Sequence, residues 1–507
     1  MCDTEDMVFG SATAPSAAPL RSERDLLTAA AVDLAQWIKA RTISSAEVVE
    51  LAIRRIEQVN PSLNAVVHTR FEKARDEARE TDRALARGDD LGPFAGVPCT
   101  IKEFFAVEGA PQTGGLVARK NTLSTSDAPT VARLRQAGAI VVGLTNVPEG
   151  GIWIETYNAL YGRTNNPWDT RRTSGGSSGG EGAIVAAGGS AFGLGSDIGG
   201  SIRLPAAFCG IVGHKPSGRL LPNGGQFPAP SGAALAMLCP GPMVRRVRDV
   251  MPLLSVLAGP DASDPYCAEM PLGDPATVSL EGLVVHVAKD NGRFRSSEAM
   301  QRAIDDAARA LERRGARVVR FDEKKLSRGL EYWAATLASG VSEGYDELLA
   351  SGTGKERISA ARELVKGALG RSNHTLPALI VALLGSAMTK LGTKTTEDLA
   401  RRAASFREEM RELLGDGGVL LHPPYTRVAP RHHDVWRTPF DAAYTALFNV
   451  LETPVTVVPV GFDAQGMPVA VQIIAAPGRD HVSVRAAQAV EDHFGGWTLS
   501  TPRGAHA

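Results

Sequence analysis

Short apolar runs that alternate with helical segments constrain the fold of this chain more than any other feature of its sequence. Each run holds four to six apolar residues and is followed or preceded by a stretch with helical spacing. A strand that is apolar at successive positions is buried on both faces, which requires helices on both sides of the sheet. We therefore predict an α/β fold. The runs are AIVVGLTN (139–146), GLVVHVAK (282–289), ARVVRFD (316–322), GVLLHPP (418–424), VTVVPVG (455–461) and PVAVQIIA (468–475).

Helical spacing is clearest near the N-terminus and beside two of these runs. Residues 25–40 and 42–60 predict two helices, and SSAE within the second is a capping box that starts a helix. Further helices are predicted at 128–139 and near 298–314, and GVPCTIKEFF (96–105) predicts a short strand. Residues 1–24, rich in Ala, Ser and Pro, are expected to be a disordered lead.

Residues 323–415 differ from the rest because they are nearly free of strand patterns and rich in helix formers. Their most apolar part, LPALIVALLGSAMTKLG (376–392), is too short to span a bilayer. One interpretation is a buried core helix. The other is a helical cap whose apolar face lines a substrate route or touches lipid.

Composition excludes several classes of protein. The chain has 507 residues, with 55 Lys and Arg against 56 Asp and Glu, so it has no field that attracts nucleic acid or holds a basic membrane anchor. Five scattered cysteines form no CxxC pair and predict reduced thiols in a cytoplasmic protein, without a zinc site. No secretory signal and no transmembrane segment is apparent. Length alone suggests roughly three domains.

The segment from 171 to 217 carries two glycine clusters, one around Ser177 and Ser178 and one just before Ser201. A phosphate cradle would need GxGxxG or a P-loop pattern, and neither is present. Glycines and serines also make ordinary tight turns. However, successive N–H groups with little side-chain cover are what a developing oxyanion needs, and Ser201 at the end of such a turn is placed to attack the same carbonyl.

A nucleophilic serine needs a base, and the residues alone leave two kinds open. GGSSG (175–179) matches a nucleophile elbow, for which His422, His432 or His433 would be the base. Lys102, within an apolar strand, is the other candidate. To be neutral near pH 7.5 its pKa must drop by about 3 units, roughly 4 kcal/mol. Glu103 need not cancel that shift, because successive strand residues point to opposite faces.

Residues 96–217 resemble the amidase signature family. GVPCTIKEFF is similar to its lysine strand, GGSSGGEGA to its first serine loop, and GSDIGGSIRLPAAFCGIVGHKPS to its signature core. The likeness extends over residues 241–250 and 448–474 and over the helices at 25–60. Within the family, KEFF, SSGGEG, DIGGSIR and GHKPS resemble the fatty-acid amide hydrolase branch. The resemblance implies one domain over 25–507, a mixed twisted sheet between helix layers, and a helical cap insertion at about 323–415.

The resemblance also implies the site residues. Lys102 matches the base, Ser201 the nucleophile and Ser177 the serine between them, with Ser178 as its neighbour. The expected oxyanion hole is formed by the amides of Ile198, Gly199, Gly200 and Ser201. We further expect Asp197 and Arg203 to hold that loop in shape, and we attach no role to Glu181.

The implied activity is hydrolysis of a carboxamide to an acid and ammonia or an amine, through an acyl-enzyme and without a cofactor or metal. Hydrophobic, aryl or fatty acyl amides are the expected substrates. The alternatives are the glutaminase subunit of a tRNA-dependent amidotransferase, which would require partner chains, and a non-catalytic scaffold. Beyond a small-molecule amide, the expected partners include no nucleic acid, while peripheral membrane contact and a homodimer stay open.

Overall fold

The computed structural model describes residues 22–340, 344–388 and 393–500. Within them, eleven strands form one mixed sheet, and two short strands pair separately. The strands are β1 (Val66–Thr69), β2 (Pro98–Lys102), β3 (Ile140–Thr145), β4 (Tyr157–Asn158), β5 (Gly162–Arg163), β6 (Phe192–Asp197), β7 (Val212–Lys215), β8 (Cys239–Val244), β9 (Val284–Val287), β10 (Arg317–Arg320), β11 (Val419–His422), β12 (Val455–Phe462) and β13 (Pro468–Ala475).

The order across the large sheet is β1-β3-β2-β6-β8-β7-β12-β13-β11-β9-β10. Strands β3, β2 and β6 are parallel neighbours, and so are β11, β9 and β10, whereas the strands between these groups pair antiparallel. Because one sheet connects the first and last thirds of the chain, the fold is a single α/β domain and not the three domains that length suggests.

Helices cover both faces of this sheet. They are α1 (Glu23–Thr28), α2 (Ala31–Lys39), α3 (Ser45–Leu63), α4 (Phe71–Arg87), α5 (Pro129–Gln136), α6 (Gly179–Ala186), α7 (Arg203–Cys209), α8 (Val250–Leu257), α9 (Glu298–Glu312), α10 (Gly329–Gly340), α11 (Tyr345–Ala350), α12 (Ala360–Ala368), α13 (Leu376–Met388), α14 (Thr393–Leu414), α15 (Ala443–Val450) and α16 (Asp480–Phe494).

Burial along the strands explains the continuous apolar runs. In β3, Val141 and Leu144 belong to one core cluster, while Ile140 and Val142 belong to the cluster on the other face. Both faces of the strand are buried away from water, so successive strand residues must be apolar. This confirms the predicted sheet between helix layers.

The predicted helix at 42–60 is confirmed as α3, with a capping box between Ser44 and Glu47. The predicted helix at 25–40 is instead two helices, α1 and α2, because Ala29 and Ala30 are extended. Helix α1 begins at Glu23, which is before the predicted end of the N-terminal lead. Residues 1–21 of that lead lie outside the described residues, so its disorder stays a prediction.

A helical insertion lies between β10 and β11. Helices α10–α14 occupy most of the region from 323 to 415, as its lack of strand patterns predicts, and its role as a cap stays a prediction. We call this region the cap. The apolar segment at 376–392 is helical over Leu376–Met388, and residues 389–392 lie outside the described part. This helix buries Ala378, Leu379 and Ala382 in a cluster with α11, α12 and Leu116 of the body, while Leu376 and Leu383 are exposed. It is therefore a surface helix and not a core helix. Of the described helices, none is long and apolar enough to cross a bilayer.

Candidate active site

Two parallel neighbours, β2 and β6, carry candidate residues to the same edge of the sheet. Lys102 is the last residue of β2, and Asp197 is the last residue of β6. The register pairs Ile101 with Leu194, so both strands end side by side. The two serine-bearing loops reach this edge because each immediately precedes a helix that packs on the sheet, α6 for Ser177 and α7 for Ser201.

Lys102 is a buried amine whose partners are hydroxyl and carbonyl groups, and among the described residues it forms no ion pair. Its Nζ donates to Ser177 Oγ at 2.7 Å, to Ser196 Oγ at 3.1 Å and to the Ser196 carbonyl at 3.2 Å. Burial lowers the pKa of Lys102 to about 7, although the negative charge of Asp197, and that of Glu181 when it is ionised, oppose the shift. An amine with this pKa is substantially neutral at physiological pH and is able to accept a proton.

Glu103 lies on the other face of the strand, as the alternation of side chains predicts. Its carboxylate accepts hydrogen bonds from the Thr113 amide and Thr113 Oγ1, both at 2.6 Å, and from the Gly114 amide at 3.0 Å. The ring of Phe104 then lies 4.5 Å from Lys102 Nζ. Glu103 therefore does not hold Lys102 in its charged form, and an aromatic ring shields the amine.

The two serine loops are hydrogen-bonded to each other. The Ser178 amide donates to the Ser201 carbonyl at 3.1 Å, and Ser178 Oγ donates to the Ser196 carbonyl at 3.3 Å. Ser177 is buried, whereas Ser201 is half-buried. Within the described residues, the structure joins Lys102 directly to Ser177 but shows no hydrogen bond between the hydroxyls of Ser177 and Ser201. Such contacts often tighten only when substrate is bound.

The amides of the second glycine cluster differ in what they contact. In the described part of the chain, those of Ile198, Gly199 and Ser201 have no hydrogen-bond acceptor. The Gly200 amide donates instead to Asp197 Oδ1 at 2.7 Å. The neighbouring carboxylate therefore occupies the Gly200 N–H, and the part of Gly200 in an oxyanion hole stays a prediction. Three amides remain available to an oxyanion.

Asp197 and Arg203 form a fully buried ion pair beneath this loop. The guanidinium binds both carboxylate oxygens, at 2.9 and 3.0 Å, and the Ile202 amide donates to the same carboxylate at 3.0 Å. Asn449 adds a further donor at 3.0 Å. Arg203 and these hydrogen bonds hold the pKa of Asp197 well below its usual range despite burial. The carboxylate thus fixes the turn from both ends.

Glu181 is a site residue to which the sequence analysis attached no role. Its carboxyl group is buried between Thr100 Oγ1, which donates at 2.6 Å, and Thr145 Oγ1, which donates at 2.9 Å. Burial raises the pKa of Glu181 to about 8. Gly193 leaves it room, since a Cβ there would lie 1.9 Å from Glu181 Oε2. The sequence did hold one sign of this residue, because Glu181 is the one charged residue in the apolar and glycine-rich segment GGEGAIVA.

We expect Glu181→Gln to change how stability depends on pH. The folded state keeps the Glu181 proton up to about pH 8, while the unfolded chain loses it near pH 4.5. This stabilisation is complete below pH 4.5 and is lost as pH rises through 8. The unfolding free energy of the unaltered protein should therefore fall relative to Glu181→Gln by on the order of 2 kcal/mol between pH 6 and 8. Urea titrations measure the difference.

The control for this experiment is Glu312→Gln, on an exposed position of α9. Its unfolding free energy should stay parallel to that of the unaltered protein. A difference between Glu181→Gln and the unaltered protein that is constant with pH would contradict the assignment of a protonated Glu181.

The three histidines that the sequence offered as alternative bases contact other residues than the two serines. His422 is buried, its pKa is lowered to about 3 by burial, and it contacts Gln472 at 3.0 Å. His432 Nε2 lies 3.1 Å from the Thr170 carbonyl, and His433 Nε2 lies 2.8 Å from an Arg163 nitrogen. Among the described residues, none of them is hydrogen-bonded to Ser177 or Ser201.

Comparison with known proteins agrees with this geometry. The family model described as Amidase matches residues 47–483. Fatty-acid amide hydrolase 2-A of Danio rerio is 40% identical over 489 residues, which cover 93% of this chain and 90% of that protein. A glutamyl-tRNA(Gln) amidotransferase subunit of Carboxydothermus hydrogenoformans is 32% identical, covering 92% of this chain and 98% of that protein. The crystal structure of a bacterial aryl acylamidase superposes with a TM-score of 0.77 at 26% identity, covering 92% and 96%.

The chain is similar to amide-cleaving proteins along nearly its whole length, and its sheet places a buried amine beside two serine loops. These findings define an enzyme that hydrolyses amide C–N bonds. The chain belongs to the amidase family. The predicted family and the predicted enzyme class are therefore confirmed, and the non-catalytic scaffold is not supported.

Proposed function

We propose that Ser201 is the nucleophile of this amide hydrolase, that Ser177 relays its proton, and that Lys102 is the base. The contact of 2.7 Å between Lys102 Nζ and Ser177 Oγ carries the proposal, since the amine is buried with a pKa of about 7. Trapping with a fluorophosphonate, followed by peptide mass spectrometry, tests it directly. The adduct is expected on Ser201, and an adduct on another serine would contradict the assignment.

The mechanism follows from these positions. Neutral Lys102 accepts the proton of Ser177, which accepts the proton of Ser201 as Ser201 Oγ bonds to the amide carbonyl carbon. The carbonyl oxygen becomes an oxyanion that the amides of Ile198, Gly199 and Ser201 stabilise.

Collapse of this intermediate breaks the C–N bond, and the proton returns from Lys102 through Ser177 to the leaving nitrogen. The relay suits amides, because an amine leaves only when its nitrogen is protonated. Water then attacks the acyl-enzyme through the same relay, which releases the acid and restores Ser201. The proposed chemistry needs no metal or organic cofactor.

The substrates that we propose are amides with a hydrophobic or aryl acyl group. Two aromatic rings lie close to the reacting groups: Phe104 lies against Lys102, and the indole of Trp333 lies next to Gly199. The relatives named for fatty-acid amides and aryl acyl amides are consistent with such surroundings. The alternative, a glutaminase subunit of an amidotransferase, shares the fold but would act on a polar substrate and require partner chains.

An amide series distinguishes the two functions. Purified chain is assayed with amides from acetamide to long-chain and aryl acyl amides, with glutamine included. We expect kcat/KM to rise with the apolar area of the acyl group. Activity confined to glutamine would instead establish the amidotransferase alternative.

We further propose that the cap contacts an anionic lipid surface. Residues 355–371 contain five basic residues, Lys355, Arg357, Arg362, Lys366 and Arg371, against two acidic ones. Beside them, apolar side chains point to solvent at helical spacing, which is the pattern of an interfacial helix. Their exposed fractions are 65% for Val365, 65% for Leu369, 52% for Leu376, 41% for Leu383 and 58% for Leu384.

Vesicle sedimentation is expected to show this contact. The full chain should bind vesicles with phosphatidylserine more strongly than neutral ones, and a double variant, Leu383→Ser with Leu384→Ser, should bind at least about tenfold more weakly, because each leucine contributes about 1.5–3 kcal/mol when fully buried. Leu123→Ser, at an equally exposed site of the body, is the control. Unchanged binding by the double variant would refute the proposal.

A cytoplasmic location is also proposed. Its support is that the four described cysteines are free thiols, as expected in a reducing compartment. Cell fractionation tests the location. Light scattering of the purified chain tests whether it forms a homodimer, which the sequence leaves open.

A further inference from the structure

Each carbonyl of the loop that precedes Ser201 is held by a different group. The Asp197 carbonyl accepts from Asn449 Nδ2 at 3.0 Å, and the Gly200 carbonyl accepts from the Leu204 amide at 2.7 Å. Between them, the Ile198 carbonyl accepts from Trp333 Nε1 at 2.7 Å, and the Gly199 carbonyl accepts from Thr445 Oγ1 at 2.7 Å. The direction of every peptide unit in the loop is thereby set from outside it.

The carbonyl and the N–H of one peptide unit are coupled. In a planar trans peptide the two groups point in opposite directions, so a partner that fixes the carbonyl also fixes the N–H. The Ile198 carbonyl and the Gly199 amide belong to the same unit, which is trans. Trp333, by holding that carbonyl, therefore aims the open Gly199 N–H toward the opposite side of the loop, where an oxyanion would lie.

Trp333 differs from the other groups that hold the loop because it belongs to the cap. It lies on α10, whereas Leu204 is in α7 and Thr445 and Asn449 are in α15, all of them in the body. The indole also covers the loop sterically, since a Cβ on Gly199 would lie 3.3 Å from Trp333 Nε1.

A shared apolar cluster keeps α10 close to the loop. Trp333 and Ile198 both pack against one cluster of buried residues, which consists of Met237, Ala403 and Val450. Of these, Ala403 belongs to the cap helix α14 and Val450 to the body helix α15. The cap and the loop are thus joined by one polar contact and one apolar contact.

We propose that Trp333 is a positioning residue through which the cap sets the direction of the Gly199 amide, so that stabilisation of the oxyanion depends on the placement of α10. The inference rests on the proposed function of Ser201 and its loop. It assigns to the cap a role in kcat, because the indole that directs the Gly199 amide belongs to α10.

The test compares two ligands and two variants. An acyl trifluoromethyl ketone adds the serine hydroxyl and leaves an oxyanion, while the matching methyl ketone binds without forming this adduct to a comparable extent. In Trp333→Phe, which keeps an aromatic ring but lacks the N–H donor, we expect kcat and the affinity for the trifluoromethyl ketone to fall together by about 10- to 100-fold. Affinity for the methyl ketone and KM should change little.

Trp497→Phe is the matched control, because it removes an indole N–H that donates to a carbonyl far from the loop, that of Ala186. It should keep kcat. Trp333→His, which retains a ring N–H donor, should recover part of the loss. The melting midpoint of each variant reports whether it folds.

Two outcomes separate this inference from the proposal on which it rests. If Trp333→Phe raises KM but leaves kcat and trifluoromethyl ketone affinity unchanged, Trp333 only lines the pocket and the inference is overturned alone. If the unaltered enzyme binds both ketones equally, the proposed function is refuted, and the inference that rests on it is refuted as well.

Discussion

Replacement of Ser201 by alanine is expected to lower amide turnover by at least about 10⁴-fold and to abolish labelling by a fluorophosphonate. Without Oγ no acyl-enzyme forms, and the relay from Lys102 through Ser177 has no nucleophile to activate. The loop itself should persist, because its carbonyls and the Asp197 carboxylate are held by other groups. Steady-state assays and mass spectrometry of the labelled protein measure both effects.

The matched control is Ser190→Ala. Ser190 is also buried, and its Oγ donates to the Phe192 carbonyl, away from the site. This variant should keep its activity and its labelling. Normal labelling of Ser201→Ala would refute the assignment and transfer the nucleophile to another serine, with Ser177 and Ser178 the first to examine.

Replacement of Lys102 by alanine is expected to lower turnover by several powers of ten, at the upper end of what general base catalysis contributes. The loss should be larger at neutral than at alkaline pH, where hydroxide can partly replace the base. In the unaltered enzyme, kcat/KM should rise with pH through about 7, because only the deprotonated amine accepts the proton of Ser177. The variant should lack this rise.

Lys215 supplies a control for the loss of a buried lysine as such. It ends the strand β7, is fully buried, and donates to the Pro216 carbonyl at 3.0 Å. Lys215→Met should retain the rise in kcat/KM near pH 7, whereas Lys102→Met should not. Near-normal activity of Lys102→Ala at pH 7 would show that Lys102 is not the base.

Local sequence patterns predicted some helix boundaries well and others poorly. The start of α3 follows from Ser44 and Glu47, which are three residues apart and cap each other. The start of α2 has no such local cap. The Asp249 carboxylate instead accepts hydrogen bonds from the Ala31 and Val32 amides, both at 3.0 Å. A cap supplied from a distant part of the chain leaves no trace in the neighbouring sequence.

The candidate site shows the same division. The neutral state of Lys102 was predictable in part, because an isolated lysine in an apolar strand must lose its charge or find a partner. Two further features could not be predicted from the sequence: the hydrogen bond from the Lys102 amine to Ser196, and the nearby Glu181 with its raised pKa. They depend on how α6 packs on β2 and β3. Likewise, the glycines before Ser201 predicted open amides, but the Asp197 side chain occupies the Gly200 N–H.

By itself, the sequence predicted the α/β class from apolar periodicity, and its resemblance to a known family implied the two serine loops and the lysine. Both rest on patterns among neighbouring residues. The tertiary structure alone decided which amides stay open and which carboxylates are charged. It also decided that a tryptophan of the cap holds the loop before Ser201. Hydrogen bonding and desolvation are set by what surrounds a group in space, and those surroundings come from segments far apart in the chain.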